Sequence, residues 1–90
     1  MQKTLMFYEI AADGLAKVPA LYGLHTQRLA QFHARGVLLM AGPYGNPPVG
    51  ALAIFTTADA AEEFMSGDPF VLEGVVARRQ LQPWDEGLAV

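Results

Sequence analysis

Residues 17–35 read KVPALYGLHTQRLAQFHAR. The apolar residues of this stretch recur at the spacing of an amphipathic helix. Pro19 fits the first turn of such a helix, and Gly36 supplies its stop. The stretch therefore predicts one long helix, and the face that we expect to point into the core carries Val18, Leu21, Tyr22, Leu29 and Phe32.

His25 lies at the centre of that apolar face. A buried polar group left without a hydrogen-bond partner costs about 1–3 kcal/mol, so we expect a polar side chain to reach the imidazole. The best-placed candidate is Asp68, which opens the only Asp-Pro step of the chain. Whether these two side chains meet decides between a catalytic and a purely structural role for His25.

Four strands and two shorter helical segments are expected around this helix. Thr57 or Ala58 begins a short helix that runs through Met65, and Asp68 as N-cap with Pro69 at the first position begins one helical turn that ends near Gly74. The strands are apolar runs bounded by turn residues, with a turn cluster at Tyr44–Pro48 inside a hairpin: Thr4–Ile10, Val37–Ala41, Val49–Thr56 and Val75–Trp84.

The resulting order, βαββαβ, is the split pattern of an α+β, ferredoxin-like sandwich. Right-handed crossovers give an antiparallel sheet of strand order 4-1-3-2 with both helices on one face. On the first strand, Leu5 and Phe7 point one way and Met6, Tyr8 and Ile10 the other. Because the bare face is also apolar, and 52% of the residues are hydrophobic, we predict a homodimer built sheet to sheet.

Composition narrows the class of protein. A chain of 90 residues is expected to form one domain over residues 1–90. Nine acidic against six basic residues, with no basic run, argue against a nucleic-acid partner. The lack of cysteine excludes disulfides, thiolate metal sites and thiol catalysis. The N-terminal MQKTLMFYEI is too short and too polar for a signal peptide or a membrane span, which predicts a cytoplasmic protein.

Neither a metal nor a cofactor is expected. His33 lies eight residues from His25, too far for the i, i+4 spacing that places two histidines on one metal, and we assign it to the surface. The chain has no Gly-x-Gly-x-x-Gly and no Gly-Lys-Ser/Thr loop, so no nucleotide cofactor is indicated.

Five pieces of the chain, in order, resemble the YciI-like (YCII-related) domain family across essentially the whole length. They are His25 with Arg28-Leu29, the run Gly36–Pro43, the Gly50 hairpin, Asp68-Pro69-Phe70 with Gly74, and Pro83-Trp84. The resemblance implies a dimeric α+β barrel with a cleft beside the first helix, and an acid/base pair at the positions of His25 and Asp68. It also implies lyase or dehalogenase activity on hydroxylated aromatic rings in a few relatives.

The candidate catalytic residues are His25, as general acid/base, and Asp68, as its orienting partner. The candidate substrate-binding residues are Gly42, Pro43, Tyr44, Phe70 and Arg78. The alternative is a structural role, in which His25 bonds a backbone carbonyl and Asp68 only caps the turn at Pro69. Tyr8 and Trp84 are candidate pocket residues or, more simply, core or interface aromatics, and Arg78 and Arg79 are also explained by protection of a sheet edge.

We therefore expect a small homodimeric enzyme that binds a compact, aromatic or hydroxylated metabolite and works without a cofactor. The rival is a non-catalytic module that holds a small ligand or presents a surface to a partner. A third possibility is transient binding of reactive aromatic or haem-like compounds. Titration of His25 discriminates the first two, because a solvent-reachable imidazole beside a carboxylate favours the enzyme.

Overall fold

Alternating apolar side chains, helix stops and caps divide the chain as the sequence predicts. The computed structural model describes residues 2–88. A short 3-10 turn at Leu15–Lys17 precedes the first helix. The elements are β1 (Gln2–Ile10), α1 (Val18–Ala34), β2 (Leu38–Tyr44), β3 (Gly50–Phe55), α2 (Ala58–Gly67), α3 (Pro69–Leu72) and β4 (Val76–Asp85).

The four strands form one antiparallel sheet in the order β2-β3-β1-β4. Phe7 pairs with Leu52 of β3 on one side and with Gln80 of β4 on the other. This order is the predicted 4-1-3-2, so the ferredoxin-like α+β prediction is confirmed.

Strand β2 is longer than the sequence indicates. Gly42 and Pro43 were expected to close it, but the strand continues to Tyr44, which pairs with Gly50. Proline is tolerated there because β2 lies at the edge of the sheet, where half of its backbone groups have no strand partner. Gly42 and Pro43 are therefore part of the sheet, where they pair with Leu52 and Ala51, and do not form a turn that leaves it.

The helices end where the cap residues predict. Gly36 has the positive φ of 79° that follows α1, and its N–H donates to the carbonyl of His33. The Thr57 hydroxyl accepts from the Ala60 N–H at 3.1 Å and begins α2. Asp68 begins α3 in the same way, with Pro69 at the first helical position.

The packed part of the core lies between α2, the C-terminal half of α1 and the sheet. Phe64 is its centre, with ring centroids 5.2 Å from Phe32 and 5.5 Å from Phe55. Phe32 is the buried residue of α1, whereas Tyr22 on the same predicted face is 58% exposed. The N-terminal half of that face therefore does not pack into the core as predicted, because it borders a cavity.

Arg28 fastens α1 to the end of α2. Its guanidinium donates to the carbonyls of Phe64, at 3.0 Å, and Glu63, at 2.8 Å, and lies 4.9 Å from the centre of the Phe32 ring. The Phe64 carbonyl is one of the last four of α2, which a helix end leaves without an intrahelical partner. The two Arg28 hydrogen bonds also hold the segment just before Asp68 against α1.

Among residues 2–88, no helix has both the length and the apolar character needed to cross a bilayer.

Candidate active site

Asp68 lies in the step between α2 and α3 and is completely buried. Its extended backbone turns the chain, and its Oδ1 accepts a hydrogen bond from the Phe70 N–H at 3.1 Å. The capping role expected of this aspartate is therefore present. Each carboxylate oxygen can accept two hydrogen bonds, so the cap leaves room for a second donor on Oδ1 and for donors on Oδ2.

Two side chains from distant elements complete the hydrogen bonding of the Asp68 carboxylate. His25 Nδ1, from α1, lies 2.7 Å from Asp68 Oδ1, and the Tyr8 hydroxyl, from β1, donates to Oδ2 at 2.8 Å. A fully buried carboxylate needs such donors, since it has lost its water. The structure thus brings His25 and Asp68 together, and it adds Tyr8, which the sequence offered as a candidate pocket residue or core aromatic but not as a partner of Asp68.

The His25 ring is held in a fixed orientation. It stacks on Phe70 with centroids 3.8 Å apart and planes 8° from parallel, and its centroid is 6.3 Å from that of Phe64 in an edge arrangement. Its side chain is 14% exposed. With Nδ1 on Asp68, the nitrogen left for a ligand is Nε2, and no buried polar side-chain atom in residues 2–88 lacks a partner.

A cavity of about 360 Å³ lies beside His25, between α1 and the sheet. Its walls are mostly apolar, with Val18 and Leu29 of α1 facing Ala51 of β3. The strands contribute small residues here, so the space opposite α1 is not filled. This volume falls in the range of small-molecule sites, and an apolar pocket with few polar groups is their usual form.

The electrostatics of the cluster keep Tyr8 as a donor. Burial raises the pKa of the Tyr8 phenol far above its ordinary value, and the Asp68 carboxylate raises it further by its charge and by the hydrogen bond. Arg79 and Arg28 lower that pKa by smaller amounts. Tyr8 therefore keeps its proton at any pH at which the protein works.

The predicted substrate-binding residues divide between the two faces of the sheet. Gly42, Pro43 and Phe70 line the His25 cavity. Tyr44 and Arg78 lie on the opposite face, where they line a second hollow of about 340 Å³.

The pairing of the strands explains why the five predicted residues do not share one pocket. Tyr44 pairs with Gly50 and its ring crosses that glycine, where a side chain would collide with the phenol. Arg78 pairs with Glu9, whose side chain points away from the helices because its neighbour Tyr8 points toward them.

His33 is exposed on the last turn of α1, as predicted. No three His, Asp or Glu side chains converge closely enough for a metal ion in the part of the chain from residue 2 to residue 88.

Sequence reasoning missed the role of Tyr8. The available signal was its place on the core-facing side of β1, because a buried phenol needs a hydrogen-bond partner. At 2% exposure, Tyr8 meets that need through Asp68. Locating the partner required the packing of α3 against the sheet, which no local pattern contains.

The arrangement is able to move a proton. A carboxylate that accepts from Nδ1–H fixes one tautomer of the ring and leaves Nε2 as the acceptor. Nε2 can then take a proton from a ligand in the cavity and return it, which is the basic operation of general acid/base chemistry.

Comparison with known proteins agrees with this fold. The 5-chloro-2-hydroxyhydroquinone dehydrochlorinase of Burkholderia phenoliruptrix AC1100, solved with 2,5-dihydroxybenzoquinone, superposes with a TM-score of 0.78 at 20% identity, covering 94% of this chain and 95% of that one. A proposed antibiotic biosynthesis monooxygenase from Nitrosomonas europaea gives a TM-score of 0.62 at 12% identity, covering 98% and 100%. Both likenesses concern the fold.

The sequence comparisons identify the family. Protein YciI of Escherichia coli O6:H1 is 30% identical over 91 aligned positions, which cover 89% of this chain and 93% of that protein. The family model described as the YCII-related domain matches residues 3–85. The chain therefore belongs to the YCII-related domain family.

Proposed function

We propose that this protein is a cofactor-independent acid/base enzyme of the lyase, dehalogenase or isomerase type, acting on a small aromatic or hydroxylated metabolite. His25 is the general acid/base and Asp68 orients it. One observation carries the proposal: the 2.7 Å contact between His25 Nδ1 and a fully buried Asp68, at the wall of a cavity of about 360 Å³.

The chemistry follows from the free nitrogen. Nε2 takes a proton from an O–H or C–H of the bound ring, and the electron pair left behind enters the ring system. In an isomerisation, the imidazolium returns the proton to another ring carbon. In an elimination, the imidazolium returns the proton to the ring carbon that carries the leaving group. Removal of a second O–H proton then expels that group as its anion and leaves a quinone, and the second proton departs to water. Asp68 stabilises the imidazolium that forms in either case.

The cavity walls support a flat and largely apolar ligand. Gly42 and Pro43 on β2 and Ala51 on β3 leave a wide space opposite α1. His25 and Thr26 are polar residues of its lining, and they suit a ring carrying hydroxyl or carbonyl groups. The dehydrochlorinase of similar fold is named for a chlorinated, hydroxylated ring, and this agrees with the proposed class.

The experiment is a screen for proton exchange. A panel of phenols, hydroxyquinols and halogenated hydroxyquinols is incubated with the protein in D₂O, and ring deuteration is followed by NMR together with halide release. For a compound that reacts, we expect His25→Ala to lower the rate of deuteration or halide release by about 10²–10⁴-fold, the usual contribution of a general acid/base. Asp68→Asn should also lower it, by less.

His33→Ala is the matched control, since His33 is exposed on the same helix. It should keep the parent rate. Full turnover of a verified substrate by His25→Ala, or no exchange and no halide release with any compound of the panel, would refute the proposal.

A non-catalytic binding module is the second candidate. It is favoured by the Phe70 N–H bond to Asp68, because the cap explains this aspartate without any reaction. The two candidates separate by calorimetry on the same panel. A compound that binds with a measurable heat and is recovered without deuteration or halide loss supports the module.

We also propose that a second copy of the chain covers the open face of the sheet. This apolar sheet face is defined by Leu5 and Phe7 of β1 and by Leu52 and Ile54 of β3, which pair across the two strands. Met40 and Trp84 at its margins are 64% and 37% exposed. An apolar face of this extent on so small a protein is typical of an association surface.

Sedimentation equilibrium tests the dimer. Phe7→Glu places a charge at the centre of the apolar sheet face and should give a monomer at concentrations where the parent is dimeric. Gln27→Glu adds the same charge to an exposed site on α1 and should leave the dimer intact. A monomeric parent, or a dimeric Phe7→Glu, would contradict this assignment.

A further inference from the structure

We propose that Tyr8 is a positioning residue for the acid/base pair: its hydroxyl holds the Asp68 carboxylate in place and ionised, so that His25 keeps Nε2 free as a base. The inference rests on the proposed function of His25 and Asp68, and it assigns to a β1 residue a role that the pair does not contain.

The Asp68 carboxylate is held at both of its oxygens. Asp68 Oδ1 is held by His25 Nδ1 and by the Phe70 N–H, and Oδ2 is held by the Tyr8 hydroxyl. The three donors come from α1, α3 and β1. A carboxylate bonded at both oxygens by separate elements cannot rotate about its own axis, so the direction of its bond to His25 is set.

The direction of the hydrogen bonds to Asp68 decides which group holds each proton. The Tyr8 hydroxyl points its proton at Oδ2, and burial together with the Asp68 charge raises the pKa of that phenol, so the proton stays on Tyr8. Oδ2 is therefore an acceptor. Because Oδ1 also accepts from the Phe70 N–H, the carboxylate receives the Nδ1 proton of His25 and does not supply one.

The Tyr8 hydroxyl also acts on the charge of the His25–Asp68 pair. The Asp68 carboxylate is completely buried, and among the described residues Tyr8 is the donor to its Oδ2. While His25 is protonated the pair is neutral, and once His25 loses that proton the buried pair carries a full negative charge. A donor to the carboxylate stabilises the second state more than the first. Tyr8 therefore makes it easier for His25 to release its proton.

Packing does not account for the hydroxyl. Tyr8 is 2% exposed, and a phenylalanine would fill the same space without needing a partner. The charged residues near the cluster are Arg28 of α1 and Arg79 of β4, and both act on Tyr8 through their charge. Neither makes a hydrogen bond to Asp68 among those found in residues 2–88. The hydroxyl is thus the part of Tyr8 that serves the carboxylate.

The test is the titration of His25 in Tyr8→Phe, followed by NMR of the ring protons. We expect the His25 signals to titrate at higher pH than in the parent, by about one pH unit, which is a tenfold change in proton affinity. His33 serves as an internal reference in each spectrum, since it is exposed and distant from the cluster. Tyr44→Phe, which removes a phenol hydroxyl on the opposite sheet face, should leave the His25 titration where it is in the parent.

Because no substrate is needed, the outcome is independent of whether the pair turns anything over. A His25 titration that is the same in Tyr8→Phe and in the parent overturns the proposal. If Tyr8→Phe does not fold, the parent supplies the answer: the Tyr8 hydroxyl proton should give a downfield, slowly exchanging signal that is coupled through space to the His25 ring. Lack of that signal in the folded parent also overturns the proposal.

Discussion

The two ends of the layer between α1 and the sheet are built from similar apolar residues but differ in what fills them. At the packed end, Phe32, Phe55 and Phe64 interlock. At the hollow end, Val18 and Leu29 face a cavity of about 360 Å³. His25 lies on the boundary, in edge contact with Phe64 on one side and lining the cavity on the other.

The fold obtains its stability at the packed end and keeps room for a ligand at the hollow end. At the packed end, buried aromatic side chains from three elements are in ring contact. Small strand residues leave the hollow end unfilled, at the one place where a buried polar cluster meets the cavity. The hollow end is therefore expected to contribute little to folding and much to binding.

The largest expected effect is at the packed end. Phe55 is completely buried, so Phe55→Ala should lower the free energy of unfolding by about 3–5 kcal/mol, the usual cost of removing a core aromatic ring. Leu29→Ala, on the cavity wall, should cost about 1 kcal/mol, because part of its surface already faces open space. Urea denaturation measures both, and equal losses would contradict the distinction between the two ends.

The boundary cluster should give the next effect. Asp68→Asn keeps the shape of the side chain but turns an NH₂ group toward one of the donors that now bond a carboxylate oxygen. A loss of about 2 kcal/mol in the free energy of unfolding is expected, from the buried donor left unpaired. An Asp68→Asn protein as stable as the parent in urea would show that the three bonds to this side chain do not contribute to folding.

Filling the hollow end should change stability less. Ala51→Leu extends a side chain from β3 into the cavity, where added apolar volume meets no filled space. We expect the free energy of unfolding to stay within about 1 kcal/mol of the parent value, because new burial offsets any local strain. Binding of the active compound should be lost in calorimetry. Retained binding would place the ligand elsewhere.

The smallest effect is a pH dependence at the far side of the packed end. The Arg35 guanidinium bonds both carboxylate oxygens of Glu63 and lowers the pKa of that exposed carboxyl. A carboxyl whose pKa is lowered by folding stabilises the protein above its unfolded value, and this contribution is lost as the pH falls through the folded value.

Glu63→Gln should therefore be slightly less stable than the parent at neutral pH and equal to it in acid. Urea midpoints at about pH 7 and about pH 3 measure the difference. A Glu63→Gln deficit that persists at about pH 3 would assign the effect to packing and not to the ion pair.

Local signals were enough for the fold. Gly36 marks the end of α1, and Asp68 with Pro69 marks the start of α3, because the backbone conformations at these sites favour few residue types. The strand order then follows from short connections and handedness. The extension of β2 to Tyr44 was missed because a proline is compatible with an edge strand, and only the position of β2 in the sheet shows that it is one.

The site was only partly predictable for a related reason. His25 stood out because an imidazole among apolar residues needs a partner, and Asp68 was a suitable one. The placement of Tyr44 and Arg78 depends on which residues they pair with, and the ladder puts both on the face opposite the cavity. The cavity itself is a volume shared by α1, β2 and β3, and no single stretch of sequence encodes it.

The acid/base proposal is tested most directly by ¹⁵N NMR of the His25 ring, recorded at a pH at which its two nitrogen shifts are those of a neutral imidazole. The account predicts a proton on Nδ1, bonded to Asp68, and a bare Nε2 facing the cavity. A neutral His25 that carries its proton on Nε2 would contradict it, because that nitrogen could not then accept a proton from a ligand.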